Sequence, residues 1–600
     1  AQRLSGTRAE VTPPDLSARS RVHEYGGGAY VVDGDDVFFV DWKSQQLHVA
    51  SLAAAFAASA TQQPTRARAL TPAGLAWRFA DLIVDRTRGR IIAVGERERE
   101  GTEPENVIIA IDLATGALDV LVSGADFYAS PRLDAGGRRL AFVSWNHPHM
   151  PWDAAGVFIA ELDEGGQPGP ARHVAGDARA SAFGPLFIPD GRLIFAWEPS
   201  GFWNLHAWDG VSIQNLCPRE AECAQPSWQF GLDVTAIAGP TQLLTGHKAE
   251  GRWTVARLDL EDGRLHELDL PVTDLDHVVA RNGRALVVGG SPTLPASVIA
   301  YDLQTGRHEI LKTSIEVPFD LVALASIPEP QTFATTEGDT AHGLFYPPHN
   351  PGFSGPPEAR PPLVVMAHGG PTAATGAIWT PIIQFWTTRG FAVLDVDYRG
   401  STGYGRAYRQ RLAGQWGVFD VDDVVAGARH LAASGRADGR HMAIRGSSAG
   451  GFTTLAAATF HDAFTAGASL YGISDLEALA RDTHKFESRY TDGLVGPLPE
   501  DRAIYRARSP IFHTERLACP LIIFQGLEDR VVPPAQAETM VNALRARKLP
   551  VAYLTFEGEQ HGFRRAETIR RVFEAELGFY GRLFGFQPHD EIAPVPIENL

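Results

Sequence analysis

Hydrophobic and polar positions follow two different rules along this chain, and the change of rule falls near residue 318. Before it, short β-rich apolar runs alternate with polar turns carrying Gly or Asp. Residues 130–145 and 184–197 each read as run, Gly- or Asp-containing turn, run, with weaker copies at 84–94 and 279–288. Residues 109–116 and 299–306 both read Ile-Ala-x-Asp-Leu-x-Thr-Gly, a strand that ends in a turn. Strands at even spacing, recurring about every 40–50 residues, are the mark of a β-propeller. Six blades can be counted. The chain reads as beginning partway into a blade, so a seventh completed by a segment ahead of Ala1 is also expected. A pair of β-sandwiches is the alternative, but sandwiches do not need this self-similarity.

After residue 330 strands alternate with helices. Residues 362–367, 391–396, 466–470 and 520–525 are continuous apolar runs, and residues 421–431 carry the spacing of an amphipathic helix. Apolar strands covered by helices on both faces predict an α/β domain with a doubly wound, mostly parallel sheet. The expected division is a propeller over 1–318 and the α/β domain over 319–600, joined between Pro318 and Pro330. The Pro-rich stretch 347–362 is expected to be a surface loop inside the second domain.

Composition narrows the function. A chain of 600 residues exceeds what one core serves. Its net charge of −17 argues against nucleic acid or an anionic membrane as partner. The five lysines leave arginine to supply nearly all positive charge, and arginine can grip a carboxylate through two parallel hydrogen bonds. No apolar run reaches the ~18 residues of a membrane span. No signal core follows Ala1, and the missing methionine reads as a trimmed N-terminus. A cytoplasmic protein is expected, with its oligomeric state open. Cys217 and Cys223 are close enough in sequence for a loop disulfide, but free thiols are the favoured reading. No cofactor or metal is expected. His147, His149 and Asp153 lie together, yet Pro148 and Pro151 mark a stiff loop rather than a ligand set.

The chemistry starts at Gly446-Ser447-Ser448-Ala449-Gly450, a G-x-S-x-G directly after a predicted strand and before a run of helix formers. That context describes a nucleophile elbow, in which a strained turn presents Ser448 above the sheet. Asp529 follows the predicted strand 520–525, with Glu528 as its rival. His561 follows the next strand. Serine, acid, histidine is the order of an α/β-hydrolase, so Ser448, Asp529 and His561 are expected to be the catalytic triad. His368-Gly369-Gly370-Pro371, after the first parallel strand, predicts an oxyanion hole formed by the amides of Gly370 and Ala449.

With these motifs assembled, the sequence resembles the prolyl oligopeptidase family of serine peptidases, in its acylaminoacyl-peptidase-like branch. The resemblance also rests on residues 397–405, 416–423 and 471–475, and more loosely on Glu24-Tyr25-Gly26-Gly27-Gly28 and residues 145–153. It implies a propeller that caps the active site and admits only short peptides. Exopeptidase action on short or N-acylated peptides is the leading expectation. An esterase or lipase of the same fold, and a propeller binding module with a relic hydrolase, are the alternatives.

Specificity is harder to read. Arginines crowd the segments beside the catalytic loops: Arg399, Arg445, Arg481, Arg489, Arg502, Arg506, Arg508 and Arg530. Residues 484–490 are where a substrate-pocket loop is expected. Arg489 or Arg530 could hold a substrate carboxylate and so give carboxypeptidase-type cleavage, with Tyr398 in a loop that shapes the site. The plainer reading is that these arginines pair with Glu487, Asp492, Glu500 or Asp501.

Overall fold

The computed structural model describes residues 2, 6–317, 319–517 and 519–600; Pro318, at the expected domain junction, lies outside them. Six four-stranded antiparallel sheets follow one another from Tyr30 to Thr313 and form a six-bladed propeller. Each repeat seen in the sequence falls on a fixed part of a blade. Residues 130–145 and 184–197 span the hairpins between first and second strands, Phe127–Leu133 with Arg139–Trp145 and Ala182–Phe187 with Leu193–Trp197. The Ile-Ala-x-Asp-Leu-x-Thr-Gly repeats end third strands. In both turns the aspartate accepts two backbone N–H groups, Ala114 and Thr115 on Asp112, Gln304 and Thr305 on Asp302.

The last propeller strand ends at Thr313, and the second sheet begins with the strand Glu329–Ala334. This sheet has eight strands. Its first two, Glu329–Ala334 and Thr340–Tyr346, are antiparallel; the other six run parallel. In the strand Leu363–Ala367, Leu363 and Val365 pack toward one face and Val364 and Met366 toward the other, all buried. The helices Phe419–Ala433 and Ala449–Phe460 cover the first face; Pro381–Thr387 and Ala566–Phe584 cover the second. Burial on both faces explains the unbroken apolar runs of the central strands.

The two domains are joined by buried polar contacts. Glu198 of the propeller accepts from both Arg406 and Arg409, and the Arg409 guanidinium lies 4.1 Å from the Trp203 ring centroid. Such charges are tolerated in a dry interface because each is paired and hydrogen-bonded. Cys217 and Cys223 are both free and buried. Among the described residues no helix is long and apolar enough to cross a membrane.

Candidate active site

Ser448 stands between the strand Met442–Ser447 and the helix Ala449–Phe460, with φ 54° and ψ −120°. A non-glycine residue held there costs about 1–3 kcal/mol. The turn is tight enough that a Cβ on Gly446 would overlap the backbone of Gly450, and one on Gly450 the carbonyl of Ala367. The two glycines flanking the serine are therefore steric requirements. They allow strand, helix and the neighbouring strand to meet beneath a projecting hydroxyl.

The strand Leu521–Gly526 carries Asp529 just beyond its C-terminal end, and Val551–Phe556 precedes the loop that bears His561. His561 Nε2 lies 2.9 Å from Ser448 Oγ, and its Nδ1 lies 2.9 Å from Asp529 Oδ2. The other oxygen of Asp529 accepts the N–H groups of Val531 and Val532, both at 2.9 Å. This buried carboxylate is held by its own loop and aimed at the imidazole. Glu528 is exposed and forms no hydrogen bond to His561.

The loop after Leu363–Ala367 lies across the serine. Gly370 (φ 121°) and Ala449 line the same cavity as Ser448, and among the described residues neither amide N–H has an acceptor within the chain. The loop is fastened from three directions. Tyr398, fully buried, stacks on His368 at 4.1 Å and donates to the carbonyls of His368 and Pro371. Tyr490 bonds the N–H and hydroxyl of Thr372 at 3.1 and 2.6 Å. From the propeller, Trp228 Nε1 donates to the Thr372 carbonyl at 2.7 Å. Burial lowers the His368 pKa, which favours a neutral ring in this support.

A cavity of about 260 Å³ opens above Ser448, between the domains. The hydrolase supplies the catalytic loops, Trp416, Ile473, Leu479, Val531 and Val532; the propeller supplies Tyr25 and Trp228. Tyr25 arrives through Glu24-Tyr25-Gly26-Gly27-Gly28. All three glycines have positive φ, and a Cβ on Gly27 would overlap the backbone of Phe230, so only glycine lets this segment pass so close. Residues 483–490 do form a wall of the cavity. Lys485 and Phe486 are turned into the propeller: Lys485 Nζ donates to Pro104, Asn106 and Asp126, and Phe486 packs 5.1 Å from the buried His23 ring. Glu487 faces the cavity.

The two arginines offered as a carboxylate grip, Arg489 and Arg530, do not face the cavity, and the plainer reading, pairing with an acidic neighbour, holds for Arg489. Arg489 is exposed and 3.7 Å from Asp492, Arg530 is exposed, and neither lines the cavity. Arg399 is buried against Asp423, Arg445 against Glu576, and Arg502 and Arg506 pair with Glu477. Tyr398 supports the loop from below instead of facing substrate space. The residues that sequence reasoning missed are Tyr25, Trp228, Glu487 and Tyr490. Three of them lie in segments whose relevance was readable, but nothing local indicated which side chain points inward.

Fold and geometry define a class: an α/β-hydrolase with a serine elbow, closed over by a six-bladed propeller. The prolyl oligopeptidase family model matches residues 380–587. A crystal structure of puromycin hydrolase superposes with a TM-score of 0.93 at 34% identity, covering 99% of this chain and 92% of that one. A Mycobacterium tuberculosis puromycin-hydrolyzing peptidase superposes with a TM-score of 0.92 at 40% identity, over 99% and 91%. The chain belongs to the prolyl oligopeptidase family of serine peptidases. Among curated sequences, dipeptidyl aminopeptidase BIII of Pseudoxanthomonas mexicana is 32% identical over 237 residues, 38% of this chain and 34% of that protein. The chain thus matches about a third of the length of that relative.

Proposed function

We propose that the protein hydrolyses amide bonds in short peptides and aminoacyl amides through an acyl-enzyme on Ser448. The observation that carries this reading is the hydrogen-bonded series Ser448–His561–Asp529 at the floor of a cavity walled by both domains. Ser448 Oγ attacks the carbonyl carbon while His561 Nε2 takes its proton. Asp529 keeps the Nδ1–H tautomer and stabilises the imidazolium that forms. The carbonyl oxygen becomes an oxyanion facing the amides of Gly370 and Ala449, reinforced by the N-terminus of the helix Ala449–Phe460. His561 then returns the proton to the leaving amine. A water molecule, deprotonated by the same imidazole, releases the acyl group.

The cavity sits under the propeller with side chains from both domains in its walls, which favours small substrates over folded proteins. Puromycin-hydrolysing relatives that match nearly the whole chain support a small amide as substrate. The test is labelling with a fluorophosphonate together with hydrolysis of a peptide anilide. Both are expected for the wild type, and Ser448→Ala should abolish labelling and lower kcat by about 10⁴ or more. Hydrolysis that survives Ser448→Ala would sink the assignment.

A further inference from the structure

Tyr471 opens the 471–475 motif, yet it does not line the cavity above Ser448. It is the first residue after the strand Ala466–Leu470, which lies between the strand that leads to Ser448 and the strand that leads to Asp529. Its backbone has φ 40°, in the left-handed region that a tyrosine occupies only at a cost. The chain needs a sharp turn there, because Gly472 passes against Gly451 of the nucleophile helix. A Cβ on either glycine would overlap the backbone of the other. Glycine or asparagine would meet such a turn with less strain. A tyrosine held in it indicates that its side chain is needed at this point.

This one residue touches all three segments that carry the triad. Its N–H donates to the Phe524 carbonyl at 2.8 Å, in the strand that precedes Asp529. Its hydroxyl lies against the side chain of Ser447, next to the nucleophile, and Ser447 opposes the rise that burial gives the phenol pKa. Its ring meets the His561 imidazole at 4.9 Å and 64°, and Phe563 at 5.1 Å and 88°. Phe563 in turn packs 5.1 Å from Phe556, the last residue of the strand before the histidine loop. The two nitrogens of His561 are bonded to Ser448 and to Asp529. Those bonds fix the imidazole along the line joining the two partners but leave its plane free to swing about that line. An aromatic ring set against its side removes that freedom.

We propose that Tyr471 is a positioning residue for catalysis: its ring fixes the plane of the His561 imidazole, and its N–H and hydroxyl tie that plane to the Asp529 strand and to the serine elbow. This rests on the serine-peptidase reading above and adds a fourth side chain to it. Nε2 takes the proton of Ser448 Oγ and returns it to the leaving amine, so it must be aimed at each atom in turn. A swing of the ring slows both transfers. Because Tyr471 lies outside the cavity, its loss acts on the chemical step and spares substrate binding.

The experiment measures kcat and KM on a peptide anilide, and the rate of fluorophosphonate labelling, for wild type, Tyr471→Leu and Tyr471→Phe. Both variants keep a Cβ at this φ, so backbone strain is common to all three. Displacing a catalytic group by about 1 Å costs on the order of 10²-fold in rate, and Tyr471→Leu should lose about that much in kcat and in labelling. Its KM should stay within about twofold of wild type, since no substrate contact is removed. Tyr471→Phe keeps the ring and should recover the rate to within about fivefold of wild type, the remainder being the lost hydroxyl contact. A wild type that is not labelled defeats the serine assignment itself. A labelled wild type whose Tyr471→Leu variant keeps its kcat, or changes in KM alone, defeats only the Tyr471 proposal. So does a Tyr471→Phe enzyme as slow as Tyr471→Leu. Should Tyr471→Leu fail to fold, Tyr471→Met, an unbranched chain without a ring, takes its place with the same expected loss.

Discussion

The floor and the roof of the cavity are built in opposite ways. Every candidate group on the floor follows one of the parallel strands of a single sheet: Gly370 after Leu363–Ala367, Ser448 after Met442–Ser447, Asp529 after Leu521–Gly526 and His561 after Val551–Phe556. The rigid sheet sets their spacing, and short motifs set their geometry. The roof has no such frame. Tyr25 and Trp228 come from irregular segments about 200 residues apart, held by close backbone approach at Gly27 and Phe230 and by the aromatic cluster around Phe486. The two surfaces meet in the 368–372 loop, where Trp228 and Tyr490 bind the same residue, Thr372. The propeller is thus part of the support of the 368–372 loop as well as a cover.

Two substitutions weigh one surface against the other. On the floor, Asp529→Asn preserves shape but presents an amide N–H to His561 Nδ1 and so favours the wrong imidazole tautomer. The expected loss in kcat is about 10⁴, measured on a peptide anilide at neutral pH. A fall of less than tenfold would mean that the imidazole is held by something else. On the roof, Trp228→Phe keeps an aromatic wall and deletes the hydrogen bond to the Thr372 carbonyl. A net bond of about 1.4 kcal/mol corresponds to about tenfold in kcat, and the rate of fluorophosphonate labelling should fall in parallel. Unchanged labelling in a folded variant would show that the propeller only covers the loop.

The same contrast explains what could be read in the sequence. Ser448, Asp529, His561 and the His368-Gly369-Gly370-Pro371 loop were legible because each lies within a few residues of the strand that positions it. The blades were legible because the Asp112 and Asp302 turns repeat one local hydrogen-bond pattern. Tyr25 and Trp228 were not, since their positions depend on packing across two domains. The 484–490 segment shows the limit most clearly. Its place beside the site is readable from its order after the nucleophile helix, but the sequence offers Arg489 as a possible substrate contact and Glu487 only as a pairing partner. Side-chain direction there is decided by Lys485 and Phe486 plugging into the propeller, a non-local event. Nor does sequence distinguish an arginine facing substrate from one spent on a buried carboxylate, as Arg399 is on Asp423.

The last effect is read in stability instead of rate and concerns the support of the floor itself. Asp420, fully buried behind the nucleophile helix, accepts the Gly417 N–H and the Thr453 hydroxyl, both at 2.6 Å. Burial outweighs these bonds and raises its pKa from 3.8 to about 6. The folded protein therefore holds this proton at pH values where the unfolded chain has released it. Its contribution to stability is complete below about pH 3.8 and is lost as pH rises through about 6, opposite in sign to that of a salt-bridged carboxylate. Asp420→Asn retains an acceptor for Gly417 N–H and cannot ionise. Relative to wild type, its urea midpoint should rise between pH 4 and 6, by the equivalent of roughly 2–3 kcal/mol, and then level off. A pH-independent difference would show that Asp420 is ionised in the folded state throughout. The charge at the base of the floor would then be compensated from outside its two hydrogen bonds, with the Arg508 guanidinium, which feels the Asp420 charge and already donates to the carbonyls of Gly414 and Trp416, as a source.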